Sequence, residues 1–109
     1  MAASLLAEAE IADRLPRLPR WRREGAALAR DYRFASFDGA MAFMACAADE
    51  ARRLDHHPDW SNAFRWVRVT LTTHRAANGA GITALDFELA EAMERIARDL
   101  GAECDLRMQ

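Results

Sequence analysis

Residues 40–54 form an unbroken run rich in alanine and methionine, and Pro58 follows shortly after it. Alanine and methionine are among the strongest helix formers. Within the run Phe43, Ala47, Ala51 and Leu54 recur at the spacing that puts them on one helical face. The pattern predicts a helix with Asp38 as its N-cap and with Arg52 and Arg53 in the last turn, where cations suit the negative end of the helix dipole. Proline fixes its own φ and pushes the preceding residue out of the α region, so Pro58 closes the helix and makes Asp55-His56-His57-Pro58 a stiff corner. A chain of 109 residues (1–109) is one domain with room for a two-layer core, so this helix must share that core with the segments on either side.

Those segments read as follows. Ser4, Leu5, Leu6, Ala9, Ile11 and Ala12 predict a first helix from about Ser4 to Leu15, broken by Pro16 and Pro19. Residues 21–24, Gly25 as a turn and residues 27–37 predict an antiparallel hairpin, with Tyr32, Phe34 and Ser36 alternating against Asp31, Arg33 and Ala35. Beyond the corner, residues 63–73 read as a strand with Val67, Val69 and Leu71 on one face; Trp66 beside Val67 breaks the alternation and suggests a bulge or bend. His74 then stands at a strand end, away from the valines. Asn78-Gly79 and Gly81 predict a turn-forming loop over 75–81. Thr83 with Asp86 three residues on looks like a capping box for a last helix. Its apolar stripe would be Leu85, Leu89, Met93, Ile96 and Leu100, with Gly101 as the stop and residues 102–109 as a tail. The expected architecture is α+β, in the order α-β-β-α-β-β-α. It has a four-stranded antiparallel sheet, from two short strands or one bent strand after the corner, with helices packed on one face.

Composition narrows the function. The net charge of −2 gives no pull toward nucleic acid or an anionic membrane. There are fifteen basic residues and every one is arginine, which excludes Schiff-base lysines and a phosphate-loop lysine. Cys46 and Cys104 fit no C-x-x-C or zinc spacing, and free cysteines of this kind read as reduced thiols. The first ten residues lack the basic start of a signal peptide, and no apolar run approaches membrane-spanning length, so a cytoplasmic protein is expected.

All three histidines, His56, His57 and His74, lie within 19 positions. Histidine is the side chain whose unperturbed pKa suits proton exchange near neutrality. Three readings are open. The imidazoles with one acid could bind zinc, although adjacent histidines on a corner diverge and no H-E-x-x-H or H-x-H spacing is present. They could be structural, as a helix cap, a core hydrogen bond and a surface residue. Or they could act as general acid and base around a small heteroaromatic ligand, with Asp55, Asp59 and Asp86 orienting them and Trp60, Phe64 or Trp66 as an apolar wall.

Asp55-His56-His57-Pro58-Asp59-Trp60-Ser61-Asn62, then Val67-x-Val69-x-Leu71-Thr72-Thr73-His74, then Gly81-Ile82-Thr83-x-x-Asp86 resembles the pterin-4a-carbinolamine dehydratase family. The resemblance implies dehydration of a 4a-hydroxytetrahydropterin, without metal or other cofactor, in recycling the pterin of an aromatic amino-acid hydroxylase, typically phenylalanine hydroxylase. It implies His56, His57 and His74 as catalytic residues, with His57 and His74 in proton transfer and His56 in substrate positioning. Asp55, Pro58, Trp60, Thr73 and Asp86 are implied at the substrate. It further implies a homodimer or homotetramer, with a non-enzymatic dimerisation or assembly scaffold as the alternative role. The chain departs from the family pattern at Arg52, where many members have a carboxylate, at Phe64 in place of a tyrosine, and at Leu85 in place of a basic residue. Its loop after His74 is also longer.

Overall fold

The computed structural model describes residues 2–101. Three helices, α1 (Glu8–Arg14), α2 (Phe37–Leu54) and α3 (Ala84–Asp99), accompany β1 (Arg22–Glu24), β2 (Ala27–Arg33), β3 (Asp59–Ala63) and β4 (Trp66–Leu71). The four strands form one antiparallel sheet in the order β1-β2-β4-β3. The expected α+β architecture is therefore present. Leu28 and Tyr32 of β2 pair with Leu71 and Val67 of β4 and share the buried face. Onto it pack Phe43, Ala47 and Ala51 of α2 and Leu89, Ala90 and Met93 of α3. Phe43 lies 4.6 Å from Tyr32 and 5.1 Å from Phe34 between ring centroids, so aromatic packing closes the layer between helix and sheet.

Several expectations are corrected. The first helix begins at Glu8, not Ser4, and runs into a single 3₁₀ turn at Leu15–Arg17. Residues 3–6 are extended instead: Leu6 N donates to Ile82 O at 2.9 Å, and Leu5 bridges to Thr83. So short a helix gains little from another turn, whereas Leu5 and Leu6 gain partners by docking on the chain. The hairpin strand ends at Arg33, and Ser36, not Asp38, caps α2 by accepting from Gly39 N at 3.1 Å.

The stretch 63–73, expected as a strand with a bulge or bend near Trp66, is divided among three strands, with a turn just before Trp66. Asn62 Nδ2 donates to Phe64 O and Trp66 O, both at 2.9 Å, and clips a tight turn between β3 and β4 with Phe64 at φ 54°. At the other end Thr72 Oγ1 donates to Ala26 O at 2.7 Å. The chain then starts a separate two-stranded ribbon, β5 (Thr73–Ala76) with β6 (Gly79–Gly81), where a loop was expected. His74 thus belongs to the ribbon and not to the valine strand. On α3, Leu89 and Met93 are buried as expected, but Leu85 and Ile96 are only half-buried and Leu100 is exposed. Asp86, Phe87, Ala90, Ala92 and Ala97 complete the buried face, because α3 packs along α2 and reaches β2 through Glu94. Gly101 ends the element with φ 75°. Cys46 is exposed on α2. Cys104 and the tail over 102–109 lie outside the described residues. Among the described residues no helix is long and apolar enough to cross a membrane.

One polar node sits at the edge of this core, with Arg30 buried and Glu94 partly exposed. Glu94 Oε1 of α3 accepts from Arg30 Nη1 (2.7 Å), Tyr32 Oη (2.7 Å) and Trp21 Nε1 (2.8 Å). Arg30 is 2% exposed, and its guanidinium lies 4.1 Å from the centre of the Tyr32 ring. Burial, reinforced by the Glu94 carboxylate and opposed by Arg30, pushes the Tyr32 phenol well above its usual value.

Removing one partner of a buried ion pair strands the other charge. Glu94→Leu is therefore expected to lower the unfolding free energy by about 3–5 kcal/mol, read from the denaturant midpoint; a loss below about 1 kcal/mol would contradict the node's role. Folding also makes the Tyr32 phenol hold a proton that the unfolded chain releases near pH 10, so this contribution is complete below about pH 10 and is lost above it. Tyr32→Phe should cost about 1 kcal/mol near neutrality yet decline less steeply than the parent in urea melts above about pH 10. Parallel alkaline slopes in the two proteins would overturn that assignment.

Candidate active site

The corner after α2 is set by Asp55, not by Pro58 three residues later. Asp55 takes φ 49°, and His56 N reaches back to Ala51 O at 3.0 Å, a Schellman-type closure. The turn sends the His56 ring inward and leaves His57 exposed. His56 is 7% exposed, and its Nε2 lies 2.6 Å from Asp86 Oδ1.

Asp86 itself is fully buried at the start of α3. Its Oδ2 accepts from Thr83 N at 2.8 Å, completing the capping box, and from Thr73 Oγ1 at 3.0 Å. Thr83 Oγ1 lies 2.8 Å from Thr73 Oγ1 and accepts from Leu85 N at 3.2 Å. With the Thr73 proton committed to Asp86, the Thr83 hydroxyl must donate to Thr73. Asp86 Oδ2 accepts two donors, and an ionised carboxylate can only accept at Oδ1 as well. The His56 proton in this contact therefore sits on Nε2, which leaves Nδ1 as the ring's second functional atom.

A cavity of about 520 Å³ opens beside this network. All three histidines line it, with Asp55, Leu54, Thr72, Thr73, Arg75, Leu85, Ala2 and Ala3. The structure thus brings the imidazoles of the α2 corner together with that of β5. His74 is exposed, and its Nε2 is 3.8 Å from Asp59 Oδ2 at the start of β3. Asp55 and Thr73 reach the cavity wall; Asp86 stands behind His56; Pro58 and Trp60 are not in the lining. Trp60 packs against the core instead, opposite Val69 in the sheet register.

Sequence reasoning missed the rest of the wall. Ala2 and Ala3 reach it because Ala77 N donates to Ala3 O at 2.7 Å and Leu5 N to Asn78 Oδ1 at 2.9 Å, which straps the N-terminal segment along the ribbon. Arg75 carried a signal only in being a cation beside His74. Among the described residues no three His, Cys, Asp or Glu side chains are grouped to hold a metal ion.

Comparison with known proteins identifies the family. The family described as pterin 4 alpha carbinolamine dehydratase matches residues 4–96. A protein from Opitutus terrae, which bears the pterin-4-alpha-carbinolamine dehydratase name provisionally, is 46% identical over 94 residues, covering 86% of this chain and 95% of its own. A similarly named protein from Novosphingobium aromaticivorans is 44% identical over 96 residues, covering 86% of this chain and 97% of its own. A crystal structure from Brucella melitensis, described as a transcriptional coactivator/pterin dehydratase, superposes with a TM-score of 0.80 at 41% identity, over 86% of this chain and 99% of that one. The chain belongs to the pterin-4a-carbinolamine dehydratase family.

Proposed function

We propose that this protein dehydrates a 4a-hydroxytetrahydropterin to the quinonoid dihydropterin, recycling the pterin cofactor of an aromatic amino-acid hydroxylase such as phenylalanine hydroxylase. The observation that carries the reading is that His56, His57 and His74, from two separate elements, line one cavity. In the reaction the C4a–O bond breaks as a proton reaches the departing oxygen, N5 gives up its proton, and a C4a=N5 double bond forms. Water leaves and no electrons are exchanged with a third party. Two proton transfers near neutrality are what imidazole groups supply.

His57 and His74 are exposed in the lining and take the two transfers; His56, fixed by Asp86, positions the ring. Asp55 and Thr73 offer polar contacts to the ring edge, and Leu54 and Leu85 offer apolar ones. Pro58 stiffens the backbone that carries His57, and Trp60 supports the corner from the core. All three imidazoles come from one chain, so this chemistry does not itself require the homodimer or homotetramer that the resemblance implies.

A second reading, an assembly scaffold on the same fold, is favoured by the coactivator description of the Brucella melitensis relative. It needs an interaction surface on the outer side of α2. There Met41 and Met44 turn partly into the core, which weakens that side as an apolar docking surface.

Turnover of enzymatically generated 4a-hydroxytetrahydropterin tests the proposal. His57→Ala and His74→Ala should each lower the rate by about 100-fold or more, with stability within about 0.5 kcal/mol because both side chains are exposed. Full activity in both variants would remove the proton-transfer assignment. Asp86→Asn places an amide among three donors and should cost about 1–3 kcal/mol of stability. It should also disturb the His56 tautomer and slow turnover at temperatures where the variant remains folded. Lost stability with unchanged turnover would make Asp86 purely structural.

A further inference from the structure

Arg75 is the one arginine in the cavity wall. Successive side chains of a regular strand point to opposite faces, yet His74 and Arg75 both reach this cavity. The β5–β6 pairing explains it: Thr73 pairs with Gly81 and Ala76 with Gly79, with a register irregularity between them. An irregularity of this kind re-aims a side chain beside a site. The strap from Ala3 to Leu6 holds the ribbon in place, and the Leu5 side chain closes on Gly79 and Gly81, where a Cβ would come within 3.4 and 3.1 Å of it.

Arg75 has no hydrogen-bond or ion-pair partner among the described residues, and no ion pair joins it to Asp55, the one carboxylate in the lining. A neutral pterin ring offers hydrogen-bonding edges but no anion. The planar guanidinium fork matches a carboxylate or phosphate through two parallel hydrogen bonds. The cavity, at about 520 Å³, falls within the range of sites for ligands larger than a bare bicycle.

We propose that Arg75 is a specificity-determining residue, selecting pterins whose six-position substituent ends in an anion, either a phosphate or a carboxylate. This rests on the pterin reading above. The test uses the full chain and stable oxidised pterins that differ only in the tail: 6-hydroxymethylpterin, its phosphate ester, and a pterin with a short carboxylate-ended tail. Binding is read from pterin fluorescence, and separately as competition in the dehydration assay.

The parent chain should bind at least one anionic compound about fivefold more tightly than the neutral one at low salt. Arg75→Gln should abolish that preference and leave the neutral compound within about twofold of its original affinity. Whichever anionic arm carries the preference identifies the tail, and either supports the proposal. Equal binding of neutral and anionic compounds by the parent, or a preference that survives Arg75→Gln, overturns it. Equal loss for all three compounds in the variant also overturns it, since that marks a general structural role. Tight fluorescence binding without any turnover would count against the dehydratase reading and leave the tail selectivity to be judged on binding alone.

Discussion

A single buried carboxylate ties the site together. Asp86 accepts from the His56 ring beyond the end of α2, from the Thr73 hydroxyl on β5 and from the Thr83 amide at the start of α3. Three elements distant in sequence meet on two oxygens, in a place water does not reach. An unpaired carboxylate there would cost several kcal/mol, so the three donors are each needed for the fold as drawn. The same contacts fix which nitrogen of His56 carries the proton. The capping of α3 and the orientation of a site imidazole are therefore one arrangement.

α3 carries a second such point eight residues on. Glu94 gathers Arg30, Tyr32 and Trp21 onto one oxygen and pins the helix to the sheet. With Asp86 holding its first turn and Glu94 its middle, α3 is a fixed rail, and α2 packs beside it. The two nodes divide the labour. Glu94 faces the aromatic core and anchors the layers, whereas Asp86 stands behind the cavity wall and sets the orientation of His56 in it. The parts between cavity and solvent are lighter: a two-stranded ribbon and a strap of four residues, held by a few backbone bonds and the Leu5 side chain.

What could be read in advance follows the range of the interactions involved. α2, the Thr83–Asp86 capping box, the Gly101 stop and the four-strand architecture all rest on local spacing, and local spacing is visible in a sequence. The three histidines were legible as a group because of their chemistry and their closeness in sequence, and it was the family resemblance that tied them to Thr73 and Asp86. The turn between β3 and β4 was not, because it contains neither glycine nor proline; Asn62 makes it by bonding two carbonyls, and Phe64 tolerates the left-handed conformation. Leu5 and Leu6 read as helix because their partners, Ile82 and Thr83, are some 75 residues away. For the same reason nothing in the local sequence marks Glu94 as the partner of Trp21, Arg30 and Tyr32, which lie 62 to 73 residues away. The inward reach of Ala2, Ala3 and Arg75 depends on the ribbon and its irregular register, which no periodicity announces.

The account stands on three imidazoles converging around one flat ring. The direct measurement is a structure, by crystallography or by intermolecular NMR contacts, of the chain with a non-reacting 7,8-dihydropterin. The rings of His56, His57 and His74 should all contact the bicycle inside the cavity lined by Leu54 and Leu85. A pterin bound elsewhere, or one touched by a single imidazole while the others face solvent, would contradict it.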